Sequence, residues 1–204
     1  MRGLICVLAL LLAAGVYAAQ EIEGVEQCLE VRAGEAGAEL QKPLQKLAFF
    51  EGTWKIEQHA EAGAQRGGGP AQGSFDMKAA VGGHALLGLL RVNYEKGGFQ
   101  GMTVITPSMP EAGTAKGDEN KFDVYWSDSS GHTHFSQGAR FENDKLVINF
   151  EDKMGDKTVK TRTTYTKMGD DKIELVLEAD TGKGFEKKST DTYTRTSDKP
   201  EKLQ

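Results

Sequence analysis

Cysteine is almost absent from the 204-residue chain, and one of its two copies, Cys6, sits in an apolar N-terminal run. With that run removed, Cys28 stands alone, so no internal disulfide can brace the fold and stability must come from a packed core. Cys28 lies in a polar stretch with no neighbouring histidine or basic cluster to activate its thiol, which argues against a nucleophile. Excess positive charge is also missing: the formal net charge is −5. Such a surface gives no electrostatic reason to expect nucleic acid or an anionic membrane as partner. The chain lacks a Gly-x-Ser-x-Gly elbow, a phosphate-cradling loop, a His-Glu-x-x-His zinc helix and paired-cysteine motifs. The Gly67-Gly68-Gly69-Pro70 stretch has no Gly-Lys-Ser/Thr ending and reads as a hairpin loop. No Asn-x-Ser/Thr sequon occurs, which mildly favours a bacterial setting.

What is present begins with a leader. Arg2 supplies a positive start, Leu4 to Val16 form an apolar run, and Val16 and Ala18 give a small-residue cleavage pattern after Ala18. The run falls short of the roughly 20 apolar residues that a membrane-spanning helix needs. Cys6 comes too early to be a lipoprotein cysteine. These features predict a signal peptide at 1–18, an exported protein in a periplasmic or extracellular location, and no membrane span after cleavage. Removing a leader with one positive charge, Arg2, takes the formal charge from −5 to −6. Residues 19–39, rich in Glu, Gly and Ala, are predicted to be a flexible lead-in, and 197–204 a flexible tail. The domain between them spans 40–196.

Within that domain the apolar period changes once. Leu40, Leu44, Leu47, Ala48 and Phe50 fit helical spacing, with Pro43 tolerated in a first turn and Gly52 as a stop. Beyond Gly52 the period is two. Phe122, Val124 and Trp126 alternate with polar residues, as do Leu146, Ile148 and Phe150, and Ile173, Leu175, Leu177 and Ala179. Asp128-Ser129-Ser130-Gly131, Asn143-Asp144, Gly155-Asp156 and Gly169-Asp170-Asp171 punctuate these runs as turns. A longer Pro/Gly loop fills 107–120. The pattern predicts about ten antiparallel strands, which strand counting alone would allow to close as a barrel or stack as a sandwich.

Two ends of the sequence favour the barrel. Gly52-Thr53-Trp54 opens the first strand and Tyr193-Thr194-Arg195 closes the last. This resembles the calycin superfamily of lipocalins, fatty-acid-binding proteins and nitrobindins, in which a Gly-x-Trp on the first strand meets a cation from the last. The resemblance implies an all-β, up-and-down closed barrel with a short N-terminal helix near one end. It also implies a structural seam formed by Trp54 and Arg195. Trp126-x-Asp128, Gly138 and the preceding helix resemble, more narrowly, a bacterial family of exported domains of unknown function. Nitrobindins hold haem through a late histidine, but residues 171–196 contain none, so no cofactor is implied.

Candidate site residues follow from alternation. Phe122, Val124, Trp126, Thr161, Thr163, Tyr165, Leu175 and Leu177 are expected to face inward around a cavity, because the opposite face of each strand is polar. On the last strand Phe185, Lys187, Ser189, Asp191, Tyr193 and Arg195 share a face by strict alternation, which makes Lys187, Ser189 and Asp191 lumenal polar candidates. A few polar groups in an apolar wall are the usual form of a small-ligand site. His132 and His134 share a face but offer only two ligands, and Phe135, Ala139 and Phe141 mark the other face as buried. Both are therefore expected to point to solvent and hold no metal. Asp128 reads as a turn residue bonding its own backbone rather than a catalytic carboxylate. The leading expectation is a carrier or sensor of a small apolar or amphipathic ligand. The alternatives are an envelope scaffold with a filled barrel and an unrecognised enzyme.

Overall fold

Period-two alternation needs partners on both edges of every strand, and closure into a barrel supplies them without leaving an edge. The computed structural model describes residues 39–60, 71–94, 97–110, 117–154, 157–180 and 182–198. These form β1 (Gly52–Ala60), β2 (Ala71–Ala80), β3 (Ala85–Tyr94), β4 (Gly97–Pro107) and β5 (Lys121–Asp128). The run continues with β6 (Thr133–Glu142), β7 (Lys145–Met154), β8 (Lys157–Lys167), β9 (Lys172–Asp180) and β10 (Phe185–Ser197). Each strand pairs antiparallel with its sequence neighbour, and β1 closes on β10, so the sheet is a closed up-and-down barrel. All described residues fall in one compact unit. The expected signal peptide and, save for Glu39, the expected lead-in lie outside the described residues. So does the expected tail beyond Asp198, while Ser197 still belongs to β10.

The turns behave as their residues dictate. Asn143 and Asp144 take φ of 52° and 61°, the left-handed pair required by a two-residue hairpin. The Asp128 carboxylate accepts bonds from the Ser130 amide at 2.9 Å and the His132 amide at 3.3 Å, folding the β5–β6 turn around itself.

One barrel end is plugged. The predicted helix is a 3-10 helix over Leu44–Phe50, preceded by Pro43, and it buries Leu44, Leu47 and Phe50 completely. Those side chains join one core cluster with Trp54, Ile56, Met77, Leu86, Ile105, Phe122, Val124, Leu146 and Ile173. Burying a side chain of this size contributes about 1.5–3 kcal/mol, so this proximal half holds much of the fold's stability.

Trp54 lies opposite Arg195 in the β1–β10 register, and the guanidinium carbon sits 4.2 Å from the indole centroid. Arg195 does more than stack. Its guanidinium donates to the Phe49 carbonyl at 2.8 Å, to the Glu51 carbonyl, and to the Asp170 carbonyl at 3.1 Å. Trp54 Nε1 donates to the Phe50 carbonyl at 2.8 Å. One cation therefore ties both terminal strands, the end of the 3-10 helix and the β8–β9 turn together, while satisfying carbonyls the helix leaves open.

Two β-bulges correct the face assignments. In β6, Ala139 pairs with Phe122 but Ser136 pairs with Val124, so one extra residue is accommodated beside Gly138, whose φ is +76°. Alternation flips there. His134 and Ser136 face inward, whereas Phe135, expected on the buried side, is 59% exposed. In β10, Lys187 pairs with Glu178 and Ser189 with Leu177, leaving Lys188 as the extra residue. Lys187 and Phe185 consequently lie on the outer face, where the Arg162 guanidinium carbon stands 4.2 Å from the Phe185 ring centroid. Lys187 is not a lumenal group.

Candidate functional site in the distal half of the barrel

Away from the 3-10 helix the inward positions change character. The large aliphatics of the proximal half give way to Ala71, Gly73, Gly101, Thr103, Ser136, Thr161, Thr163, Ala179 and Ser189. Small and hydroxylated residues alternate here with large inward side chains such as Phe99, Trp126 and Phe150.

The expected lining residues divide between the two halves. Phe122 and Val124 face inward but are completely buried in the core cluster that the 3-10 helix seals. Leu175 belongs to the same cluster, and Tyr165 and Leu177 pack against it. Trp126, Thr161 and Thr163 stand where the wall opens toward the distal end. Asp191 stands on an inward position opposite Gln58 and is only 6% exposed.

One side of the distal lumen is polar and is built by β1 and β10. Gln58, directly opposite Asp191 in the register, donates from Nε2 to Asp191 Oδ2 at 3.1 Å. Ser189 lies one inward position further toward the distal end and is 4% exposed. The Gln58 Oε1 and Ser189 Oγ atoms are buried and have no hydrogen-bond partner among the described residues. Leaving such atoms unsatisfied costs about 1–3 kcal/mol each. Below them the Tyr165 and Tyr193 hydroxyls share a hydrogen bond. Burial first, and the Asp191 charge in addition, push both hydroxyls well above the usual phenol range, so they stay protonated.

The facing side is aromatic. In the strand order β5 lies five places from β10, directly across the barrel. Trp126 Nε1 donates to Asp128 Oδ2 at 3.1 Å, which pins the indole. The ring lies against Gly101, where an added Cβ would come within 2.3 Å of two indole carbons. Phe99 stacks beside it with centroids 6.3 Å apart. His134, opposite Trp126 in the β5–β6 register, packs on Phe150 at 5.3 Å and stacks on His132 at 6.1 Å. Burial opposes charge on Asp128, but bonds from Ser130, Trp126 and His132 outweigh it and hold the carboxyl below its ordinary value.

His134 thus corrects the expectation that both histidines point to solvent, while His132 is exposed as expected. No group of three potential metal ligands occurs among the described residues. Sequence reasoning also missed Gln58, although its spacing from Trp54 and Ile56 carried the signal. Ser136 and His134 were hidden by the Gly138 bulge. The wall is looser beside them. Pairing between β6 and β7 covers Arg140–Glu142 against Lys145–Val147, three residue pairs, and no further pair follows toward the distal end.

No protein-family model matches the sequence, and no curated protein matches it. Several solved structures are similar to it. The S-type phycobiliprotein lyase CPES from Guillardia theta has 12% identity and a TM-score of 0.46, over 86% of this chain and 98% of that one. EF1p2_mFAP2b bound to DFHBI has 12% identity and a TM-score of 0.41, over 76% and 100%. A de novo designed fluorescence-activating β-barrel has 12% identity and a TM-score of 0.38, over 72% and 94%.

Proposed function

We propose that this protein is an exported, non-enzymatic carrier or sensor that holds a small amphipathic molecule in the distal half of its barrel. Export rests on the leader at 1–18, and the narrower affinity to bacterial exported domains rests on the short motifs around Trp54, Trp126 and Arg195. The binding role rests chiefly on one observation: Gln58 Oε1 and Ser189 Oγ, carried on inward positions of β1 and β10, are buried and lack a hydrogen-bond partner among the described residues. Buried polar atoms are satisfied in nearly all proteins, by protein, water or ligand. Their strands lie across the barrel from an aromatic wall, around a lumen lined partly with small residues, the mixed polar and apolar form that small-molecule sites take.

Trp126 reports on this space, while Trp54 is sealed at the seam. Titrating fatty acids, isoprenoids and small aromatic compounds should shift tryptophan emission in the wild type and lose that response in Trp126→Phe. A silent panel, with a barrel interior found packed solid, would favour the scaffold.

One observation supports that second reading on its own terms. Leu87, Val104, Tyr125 and Phe135 pair across β3–β6 on the outer face, with Tyr125 38% and Phe135 59% exposed. Leu87 is only 8% exposed, so the outward apolar surface centres on Tyr125 and Phe135, and exposed aromatics side by side are a common feature of interaction surfaces.

A further inference from the structure

The two sides of the distal lumen differ in the hydrogen-bonding sense they offer, and that difference selects a ligand. On the β1–β10 side the Gln58 amide has already committed a donor to Asp191, and its carbonyl oxygen is buried without a hydrogen-bond partner among the described residues. Asp191 contributes carboxylate oxygens, and its negative charge is felt by both buried tyrosines beneath it. Ser189 adds a hydroxyl oxygen with no described partner. This side is therefore rich in acceptors and negative in sign. Arg195 and Lys167 lie at the opposite, helix-capped end, over the Trp54 and Phe49 rings, and the Lys188 ammonium next to Ser189 is paired with Glu186 at 2.9 Å. Across the lumen the surface is aromatic, with the Trp126 indole held rigidly by Asp128 and Gly101.

Resting on the carrier reading above, we infer that the site takes a flat aromatic molecule bearing a donor-only or cationic nitrogen head. The head group is an ammonium, amidinium or similar N–H donor set against Gln58, Ser189 and Asp191. The aromatic body lies on Trp126. An anionic head, such as a fatty-acid carboxylate, would meet acceptors and a like charge, an arrangement that disfavours binding. A nitrogen donor instead completes Gln58 Oε1 and Ser189 Oγ and gains a charge-assisted bond, roughly twice the strength of a neutral one. Its ring gains stacking and a π-face contact on the indole.

Three probes of one shape separate these cases: 2-naphthylmethylamine, 2-naphthalenemethanol and 2-naphthylacetic acid, titrated at pH 7 by calorimetry and by tryptophan emission. The amine is expected to bind at least about tenfold more tightly than the acid, equivalent to about 1.4 kcal/mol, with the alcohol between them. Asp191→Asn should erase the amine's advantage over the alcohol. Ser189→Ala should weaken the amine while the far-ultraviolet spectrum stays unchanged. Should Asp191→Asn fail to fold, the wild-type ranking still decides the sign. If the acid binds as tightly as the amine or more so, the ligand class is wrong and the carrier reading stands. The same conclusion follows if the naphthyl probes are silent while the wider panel of fatty acids and isoprenoids binds. If nothing binds at all, both fall.

Discussion

Removing either half of the Trp54–Arg195 seam should reveal one coupled unit rather than two independent contacts. Trp54 is completely buried and its Nε1 is bonded to the Phe50 carbonyl. Truncation to Ala deletes a large aromatic from a sealed site, which costs about 3–5 kcal/mol. Arg195 is 13% exposed at its side chain and bonds carbonyls of Phe49, Glu51 and Asp170. Each hydrogen bond to a charged group contributes about 1.5–3 kcal/mol. A shallow depression bordered by Ala48, Lys167, Asp170, Asp171 and Asp198 lies beside Arg195, so water can reach the orphaned carbonyls after truncation. Arg195→Ala should therefore cost less than Trp54→Ala, about 2–3 kcal/mol after that replacement. The cation over the indole sets the coupling at about 0.5–2 kcal/mol. Urea unfolding of the wild type, both single variants and the double variant measures it, with circular dichroism and the remaining Trp126 emission as probes. Two large losses could exhaust a stability of about 5–15 kcal/mol, so Trp54→Phe with Arg195→Lys provides a milder second cycle. Costs that add within about 0.3 kcal/mol would refute the seam as a unit. An Arg195→Lys variant as stable as the wild type would show that charge alone suffices and that the forked bonds to three carbonyls contribute nothing.

Gly101→Ala should push the Trp126 indole off the β4 wall, because a Cβ would sit 2.3 Å from its ring carbons. A red-shifted emission with little change in Trp54 burial is the expected signature, and an unchanged spectrum would contradict it. The Asp128 carboxyl titrates below its ordinary value when folded, so its stabilisation is present above the unfolded value near about 3.9 and is lost as pH falls through the folded one. Emission from Trp126 should accordingly change only in the acid range below about pH 4, ahead of the loss of sheet signal, and Asp128→Asn should abolish that step. Hydrogen exchange should be faster for the β6-facing amides of β7 beyond Ile148 than for those at Leu146 and Val147, because β6–β7 pairing ends at Val147. Equal protection along the whole seam would argue against that local gap.

The architecture was legible because its signals are local. Alternation around Ile173–Ala179 and turn residues such as Asn143-Asp144 each act within a few positions, and Gly-x-Trp with a late arginine identified the closing pair. What escaped was parity. A β-bulge adds one residue and exchanges the two faces of everything beyond it, yet leaves composition almost unchanged. That is why Phe135 looked buried and His134 exposed, and why Lys187 was grouped with Asp191. Gly138 was the one visible trace of the β6 bulge, and Lys188 left none in β10. The distal site depended on such parity at two of its residues, His134 and Ser136, whereas Ser189 keeps unbroken alternation with Asp191. The proximal core did not, since Trp54, Phe122 and Ile173 lie on strands whose alternation runs unbroken to the helix-capped end.

The central claim is that the distal lumen holds a small molecule, and native mass spectrometry of the full chain as isolated from cells addresses it most directly. The account predicts a mass excess of one small molecule per chain, released on denaturation and recoverable by extraction. The excess should be lost when Ser189 is enlarged by Ser189→Phe in a protein whose circular dichroism is unchanged. A chain that always flies at its bare mass, together with no response of Trp126 to any added compound, would contradict the account.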